Sequence, residues 1–127
     1  MITGLYTGIF GLFLLYHIGS VIRLRFKHGV SLGDGGNADL NHAIRAHGNF
    51  IEMVPFFLIM MFLLEIQGMT ILYLHVMGIL MIVTRVLHDM GIKCPAAPQW
   101  PTRRLGSLLS LAIFAFGSLA LIYISFK

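Results

Sequence analysis

The stretch AHGNFIEMVPFFLIMMFLL at residues 46–64 decides the fold class, because it is long and apolar enough to cross a lipid bilayer. It carries one formally charged residue, Glu52, and three further apolar stretches at 2–22, 66–84 and 105–126 carry none. A helix of about 20 apolar residues spans the hydrocarbon core and satisfies its own backbone hydrogen bonds there. The sequence therefore predicts an all-α integral membrane protein, a single domain over residues 1–127. It is expected to be a bundle of four transmembrane helices at about 2–24, 41–65, 68–90 and 102–126.

The composition excludes several other classes of protein. Of the 127 residues, 57% are hydrophobic and 11% are charged, whereas an ordinary soluble domain carries about 25% charged residues. The single cysteine cannot form a disulfide within the chain, which excludes a disulfide-stapled module. The net charge of +4 is typical of a protein with basic residues at a membrane face, so no nucleic-acid partner is predicted.

The distribution of basic residues predicts the orientation in the membrane. The first and third connections hold most of them, namely Arg23, Arg25, Lys27, Lys93, Arg103 and Arg104. The turn at residues 65–68 has no lysine or arginine. The positive-inside rule therefore places both of these connections in the cytoplasm and both chain termini outside.

Polar residues share one face of the second predicted helix. At about 100° per residue, Arg45, Asn49 and Glu52 lie within about 60° of one another, and His42 precedes them by one turn on the same stripe. A carboxylate at that depth needs a partner, and Arg85 is predicted to pair with Glu52 from the antiparallel third helix. A buried ion pair can also do no more than close a helix bundle, so helix packing remains the alternative interpretation.

Arginines from different helices are predicted to meet at the cytoplasmic end of the bundle. They are Arg23, Arg45, Arg85, Arg103 and Arg104. Glu52 and Asp89 are the acidic residues near enough in depth to offset them, which leaves a positively charged pocket suited to a small anion. No metal site is predicted, since His42 and His47 are five residues apart and therefore about 140° apart on a helix.

Other residues are predicted to serve helix packing. His17 and His75 are single histidines in apolar stretches and are expected to be packed and hydrogen-bonded. Small residues spaced four apart permit close helix contact. Gly4 with Gly8 and Gly106 with Ser110 have this spacing.

The run Arg45-Ala46-His47-Gly48-Asn49, followed by Glu52 and Pro55, resembles the signature of the MAPEG family, the membrane-associated proteins in eicosanoid and glutathione metabolism. Other features similar to the family are Arg23-Leu24-Arg25 at the end of the first helix, Arg85 with His88 in the third, and Arg103 or Arg104 at the start of the fourth. Arg85 is followed by Val86, Leu87 and His88, without a tyrosine, so the chain looks more like the small bacterial members than the eicosanoid enzymes.

The resemblance implies a homotrimer of four-helix subunits, with glutathione held between neighbouring subunits near the cytoplasmic side. The implied glutathione-binding residues are Arg23, Arg45, Asn49, Glu52, Arg85 and His88. By the same resemblance, Arg23 and Arg45 hold carboxylates, while Asn49 and Glu52 contact peptide and amino groups. Arg103 or Arg104 is implied as the catalytic residue that stabilises the glutathione thiolate, since an adjacent guanidinium favours the ionised thiol.

Three functional hypotheses follow, in decreasing order of preference. The first is a glutathione-dependent transferase or peroxidase-like enzyme that acts on small lipophilic electrophiles arriving through the bilayer, in a bacterial inner membrane. The second is a non-catalytic membrane protein whose polar stripe serves helix packing and trimer assembly. The third, a transporter or channel, is the least favoured, because no continuous polar line spans a whole predicted helix.

Overall fold

The computed structural model describes residues 1–93 and 100–126, without the side chains of residues 92, 93, 100 and 101. Within them the chain forms four α-helices: α1 (Ile2–His28), α2 (Ala38–Ile66), α3 (Ile71–Lys93) and α4 (Trp100–Ser125). Each helix is long and apolar enough to cross a membrane, which confirms the predicted all-α membrane architecture. The side chain of Lys93, used above to orient the chain, lies outside the described residues.

Local signals explain why α1 and α2 extend beyond the apolar stretches. α1 continues to His28 because Gly29 adopts the left-handed conformation (φ 65°) that ends a helix, and its N–H donates to the Arg25 carbonyl. The basic residues of the last turn also lie favourably at the negative end of the helix dipole. α2 begins at Ala38 because the side-chain oxygen of Asn37 accepts a 3.1 Å hydrogen bond from the Leu40 N–H.

The buried core lies where α1, α2 and α3 meet, and α4 packs mainly along α3. Its centre is aromatic: the Phe10 ring of α1 makes edge-to-face contacts with Phe50 and Phe57 of α2, with centroid separations of 6.1 Å in both pairs. Edge-to-face packing matches the positive rim of one ring to the negative face of the next. The outer helix surfaces expose large apolar side chains such as Leu12 and Phe116, as expected of a surface that faces lipid.

Close packing of small residues occurs in one of the two predicted places. A Cβ at Gly106 would lie 3.0 Å from the Thr84 carbonyl oxygen, so α4 approaches the backbone of α3 there. Ser110, one turn later, is fully buried. Gly4 and Gly8 have no neighbouring atom within 4 Å, so the prediction of a close contact at this pair is wrong within this chain. The four-residue spacing alone does not say which helix face meets a neighbour.

Both histidines predicted to be packed have polar neighbours. Nδ1 of His75 lies 3.0 Å from the Tyr6 hydroxyl group, which joins α3 to α1 at the end of the bundle where α2 ends. His17 is buried against the Phe50 ring, and its Nδ1 lies 3.8 Å from a carboxylate oxygen of Asp89. These contacts connect α1 to the other helices at two levels of the bundle.

Candidate functional site

A cavity of about 280 Å³ lies between α2, α3 and α4, at the end of the bundle where α1 ends and α2 begins. Its lining residues are Ile44, Arg45, Gly48, Asn49, Glu52, His88 and Arg103. We call it the central cavity. Five of these seven side chains are polar, although all three helices are apolar enough to cross a membrane. Polar groups at such positions mark functional sites by default, because each is costly to place in lipid.

α2 supplies the polar stripe predicted from the sequence. Arg45, Asn49 and Glu52 line the central cavity together, as their spacing of four and three residues requires. Gly48 gives the cavity room on this side, because no side chain projects from it between Ile44 and Glu52. His42 does not line the central cavity, although helix geometry places it about 20° from Asn49; it lines a different cavity, one turn nearer the start of α2.

Arg85 is buried, with 4% of its surface exposed, and its partners differ from the prediction. One terminal nitrogen donates a 2.7 Å hydrogen bond to Oδ1 of Asn49, and the other donates to the Ser110 hydroxyl oxygen. The predicted pairing of Arg85 with Glu52 is therefore wrong. Similar depth in the membrane does not fix the direction of a side chain. Arg85 points toward the place where α2, α3 and α4 meet, and its hydrogen-bond acceptors there are uncharged side chains.

The carboxylate of Glu52 consequently remains available to a ligand. Among residues 1–93 and 100–126 it has no hydrogen-bond or ion-pair partner, and the side chain is exposed at the margin of the central cavity. Arg45 and Arg103 line the same cavity and are exposed as well. The cavity thus presents one carboxylate and two guanidinium groups that a zwitterionic molecule can reach.

α3 and α4 complete the site with one histidine and one arginine. His88 is buried with 8% exposed and lines the central cavity, one turn after Arg85. The sequence left open whether Arg103 or Arg104 faces the site. Arg103 lines the cavity, whereas Arg104 is not among its lining residues. The close approach of α4 to α3 at Gly106 brings Arg103, one turn earlier on α4, toward His88.

Arg23 is separated from the other predicted site residues. It lies in a second cavity of about 330 Å³ between α1 and α2. The lining residues of this α1–α2 cavity are Tyr16, Ser20, Arg23, Leu24, Lys27, Asp39, His42 and Ala43. A single subunit therefore divides the predicted anion pocket into two cationic cavities on different sides of α2.

Sequence reasoning missed Ser110 as part of this region, because its spacing from Gly106 indicated helix packing alone. The structure shows that its hydroxyl group donates a 2.7 Å hydrogen bond to the Gly106 carbonyl while its oxygen accepts from Arg85. Ser110 is one of four serines in α4, with Ser107, Ser118 and Ser125, so no signal in the sequence distinguished it. No group of three or more potential metal ligands occurs in the described part of the chain.

The central cavity suits a small molecule with both carboxylate and ammonium groups. Guanidinium groups bind carboxylates through two parallel hydrogen bonds, and an exposed carboxylate binds an ammonium group. An arginine beside a thiol also favours the thiolate form. The donor set is therefore adequate to hold an anionic peptide and to activate a thiol on it.

Comparisons with known proteins show which proteins this chain is similar to. A family model described as the MAPEG family matches residues 3–124. The chain is 35% identical to Inner membrane protein YecN of Escherichia coli over 91 residues, which cover 72% of this chain and 70% of that protein. YecN from a second strain of the same species matches with the same identity and coverage. No solved structure matches the chain significantly.

Proposed function

This chain belongs to the MAPEG family, and we propose that it is a membrane glutathione-dependent transferase or peroxidase-like enzyme that acts on lipophilic electrophiles. The observation that carries the proposal is the convergence of Arg45, Asn49, Glu52 and Arg103 on the central cavity. Glutathione offers two carboxylates, one ammonium group, two peptide groups and a thiol. The cavity offers a guanidinium group for one carboxylate, another for the thiol, a carboxylate for the ammonium group and an amide for a peptide group.

The proposed roles follow from the charge of each side chain. Arg45 holds a glutathione carboxylate, because a guanidinium group binds carboxylates in a forked geometry. Glu52 binds the ammonium group, since its carboxylate has no partner among the described residues. Asn49 contacts a peptide or carboxylate group, and His88 closes the inner wall of the cavity.

Arg103 is the proposed catalytic residue. A free thiol has a pKa of about 8.5, so most of it is protonated at neutral pH, and a neighbouring guanidinium group lowers that pKa. Bound glutathione supplies a nucleophilic thiolate for attack on an electrophile. Arg103 keeps that sulfur ionised, and the apolar outer surfaces of the helices admit lipophilic substrates from the bilayer.

We also propose that the enzyme is a homotrimer in which glutathione lies between adjacent subunits. Two structural features support this assembly, the first of them together with the role that the family resemblance implies for Arg23. Arg23 lies in the α1–α2 cavity rather than in the central cavity, so a neighbouring copy is needed to bring it to the same ligand. Gly4 and Gly8 leave a face of α1 without any neighbour within 4 Å, which another helix can approach closely.

The proposed location is a bacterial inner membrane, with both termini outside and the central cavity near the cytoplasmic face. The relative YecN is described as an inner membrane protein, and the basic residues Arg23, Arg25 and Lys27 lie at one end of α1. Fusion of alkaline phosphatase or a fluorescent protein to the C-terminus tests this orientation. An active phosphatase and a dark fluorescent protein are the expected results, and the reverse pattern contradicts the orientation.

Calorimetric titration of the detergent-purified protein with glutathione tests the proposed function. We expect saturable binding, weakened at least tenfold by Glu52→Gln because the ammonium group of the ligand loses its charged partner. Asp34→Asn is the matched control, since it makes the same carboxylate-to-amide change in the connection before α2, away from both polar cavities. Absence of heat at millimolar glutathione from a folded wild-type protein contradicts the proposal.

One observation favours the non-catalytic alternative. Arg85, Asn49 and Ser110 join three helices, so part of the polar stripe does serve packing. If packing is its whole purpose, Glu52→Gln and Arg103→Gln weaken the oligomer by light scattering, and wild type binds no glutathione. Saturable binding by wild type excludes this alternative.

A further inference from the structure

Arg85 carries a buried positive charge that has no acidic partner in the described part of the chain. Among residues 1–93 and 100–126, no carboxylate lies within ion-pairing distance of it. Its guanidinium group is held by the side chains of Asn49, Ser110 and Thr84, and the contact with Thr84 is the longest at 3.4 Å. Such a group is costly to bury, so its position calls for an explanation other than stability.

The contact with Asn49 fixes which end of that amide faces the ligand. A guanidinium group can only donate hydrogen bonds, so the Asn49 atom that it meets has to be the carbonyl oxygen. The amide nitrogen then points away from Arg85, on a side chain that lines the central cavity. This nitrogen donates no hydrogen bond within the described part of the chain.

We propose that Arg85 is a positioning residue that holds Asn49 with its NH₂ group toward the central cavity, so that Asn49 recognises a carbonyl or carboxylate oxygen of the ligand. The inference rests on the proposed function and deepens it. Without Arg85 the amide can turn over and present its own oxygen, which repels a ligand oxygen. Arg85 thereby favours ligands that have a hydrogen-bond acceptor opposite Asn49 over ligands that have a hydrogen-bond donor there.

Ser110 fixes the other end of the guanidinium group. Its hydroxyl hydrogen is committed to the Gly106 carbonyl at 2.7 Å, so its oxygen is free to accept from Arg85. The Gly106 carbonyl therefore orients Ser110, Ser110 orients Arg85, and Arg85 orients Asn49. Arg85 donates to both of its neighbours, Asn49 of α2 and Ser110 of α4, and Ser110 in turn donates to the backbone of α4.

A double-mutant cycle on glutathione affinity tests the inference. We expect Asn49→Ala and Arg85→Met each to weaken binding about tenfold, because each removes the oriented donor. In the Asn49→Ala background, Arg85→Met should weaken binding by less than about twofold, since its effect passes through Asn49. Arg85→Lys, which retains the charge and one donor, should recover part of the affinity.

The side-chain NH₂ signals of the protein labelled with ¹⁵N at asparagine provide a readout that does not require glutathione. The chain has three asparagines, and Asn37 and Asn41 lie near the start of α2 as internal references. Arg85→Met should shift the Asn49 signals and leave the other two pairs in place. Arg85→Lys should shift them less, and it also shows that a folded protein with a substituted position 85 can be measured.

The outcomes separate the inference from the function on which it rests. An equal loss of affinity on Arg85→Met in both backgrounds overturns the inference alone, because Arg85 then acts on the ligand directly. Unmoved Asn49 signals in Arg85→Met also overturn it. Absence of glutathione binding by wild type overturns the proposed function, and the inference with it.

Discussion

Gly106 of α4 lies against the backbone of His88 in α3: a Cβ atom at position 106 would be 3.2 Å from the His88 nitrogen and 3.0 Å from the Thr84 carbonyl oxygen. Both neighbours are backbone atoms of a helix, so neither can turn aside as a side chain does. Arg103 and Ser110 stand one turn before and one turn after this contact. This close approach of the two helices helps to set the positions of a cavity-lining arginine and of the hydroxyl group that accepts from Arg85.

Gly106→Ala should push α4 away from α3 and weaken both stability and ligand binding. Overpacking of this kind costs about 1–3 kcal/mol, which exceeds the gain of about 1 kcal/mol in helix propensity. We expect a lower midpoint of thermal unfolding in detergent and a several-fold weaker affinity for glutathione. Gly19→Ala is the control, because Gly19 also lies inside a helix but has no atom within 4 Å. A Gly106→Ala protein as stable as the control contradicts the argument.

Arg103→Gln should reduce the ionisation of bound glutathione, because the guanidinium group that favours the thiolate is lost. The pKa of the bound thiol is expected to rise by about one unit, so the thiolate absorbance in the ultraviolet has its titration midpoint at a correspondingly higher pH. Arg104→Gln should shift it less, since Arg104 is not among the residues that line the central cavity. A larger shift in Arg104→Gln than in Arg103→Gln assigns the catalytic role to Arg104 instead.

Tyr6→Phe should destabilise the bundle without changing the central cavity. The Tyr6 hydroxyl group lies 3.0 Å from Nδ1 of His75 and 3.1 Å from the His75 carbonyl oxygen, at the opposite end of the molecule. Loss of these contacts should cost about 1 kcal/mol in the free energy of unfolding, measured by titration with a denaturing detergent. Tyr123→Phe makes the same change at a side chain that is 71% exposed, and it should have no measurable effect. Equal stability of the two variants contradicts the proposed contribution of the Tyr6 hydroxyl group.

The connection before α2 should keep its structure in moderately acidic solution. The Asp34 carboxylate accepts hydrogen bonds from the Asn41 side chain and the Gly36 N–H, in that order of importance, and these lower the pKa of Asp34 below its ordinary value of 3.8. Because the folded-state pKa is lowered, the stabilisation is present above the unfolded-state pKa and is lost as the pH falls through the folded-state pKa. A pH titration of the Gly36 amide chemical shift should therefore have its midpoint below 3.8. A midpoint at or above 3.8 contradicts these bonds.

Much of the fold could be predicted because hydropathy is a property of contiguous residues. The length and hydropathy of residues 46–64 are enough to predict a membrane-spanning helix without knowledge of its neighbours, and the same holds for the other three stretches. The convergence of Arg45, Asn49 and Glu52 is likewise local, because helix geometry alone places residues four and three apart on one face.

The partner of Arg85 could not be predicted in this way. Glu52 is the obvious opposite charge at similar depth, yet Arg85 donates to Asn49 and Ser110. Which group a long side chain meets depends on the rotation of three helices about their own axes, and on how closely α4 approaches at Gly106. No pattern within one helix contains that information.

The amino-acid sequence by itself determined that this protein is a four-helix membrane bundle with a polar stripe on α2, because both properties arise from periodicity and length along one segment. Only the tertiary structure decided that Arg103 rather than Arg104 lines the central cavity, that Arg23 and His42 lie in another cavity, and that Glu52 has no partner among the described residues. These outcomes depend on how the helices rotate and pack against one another. Consecutive residues are about 100° apart around a helix axis, so the rotation of α4 decides which of two adjacent arginines faces the cavity.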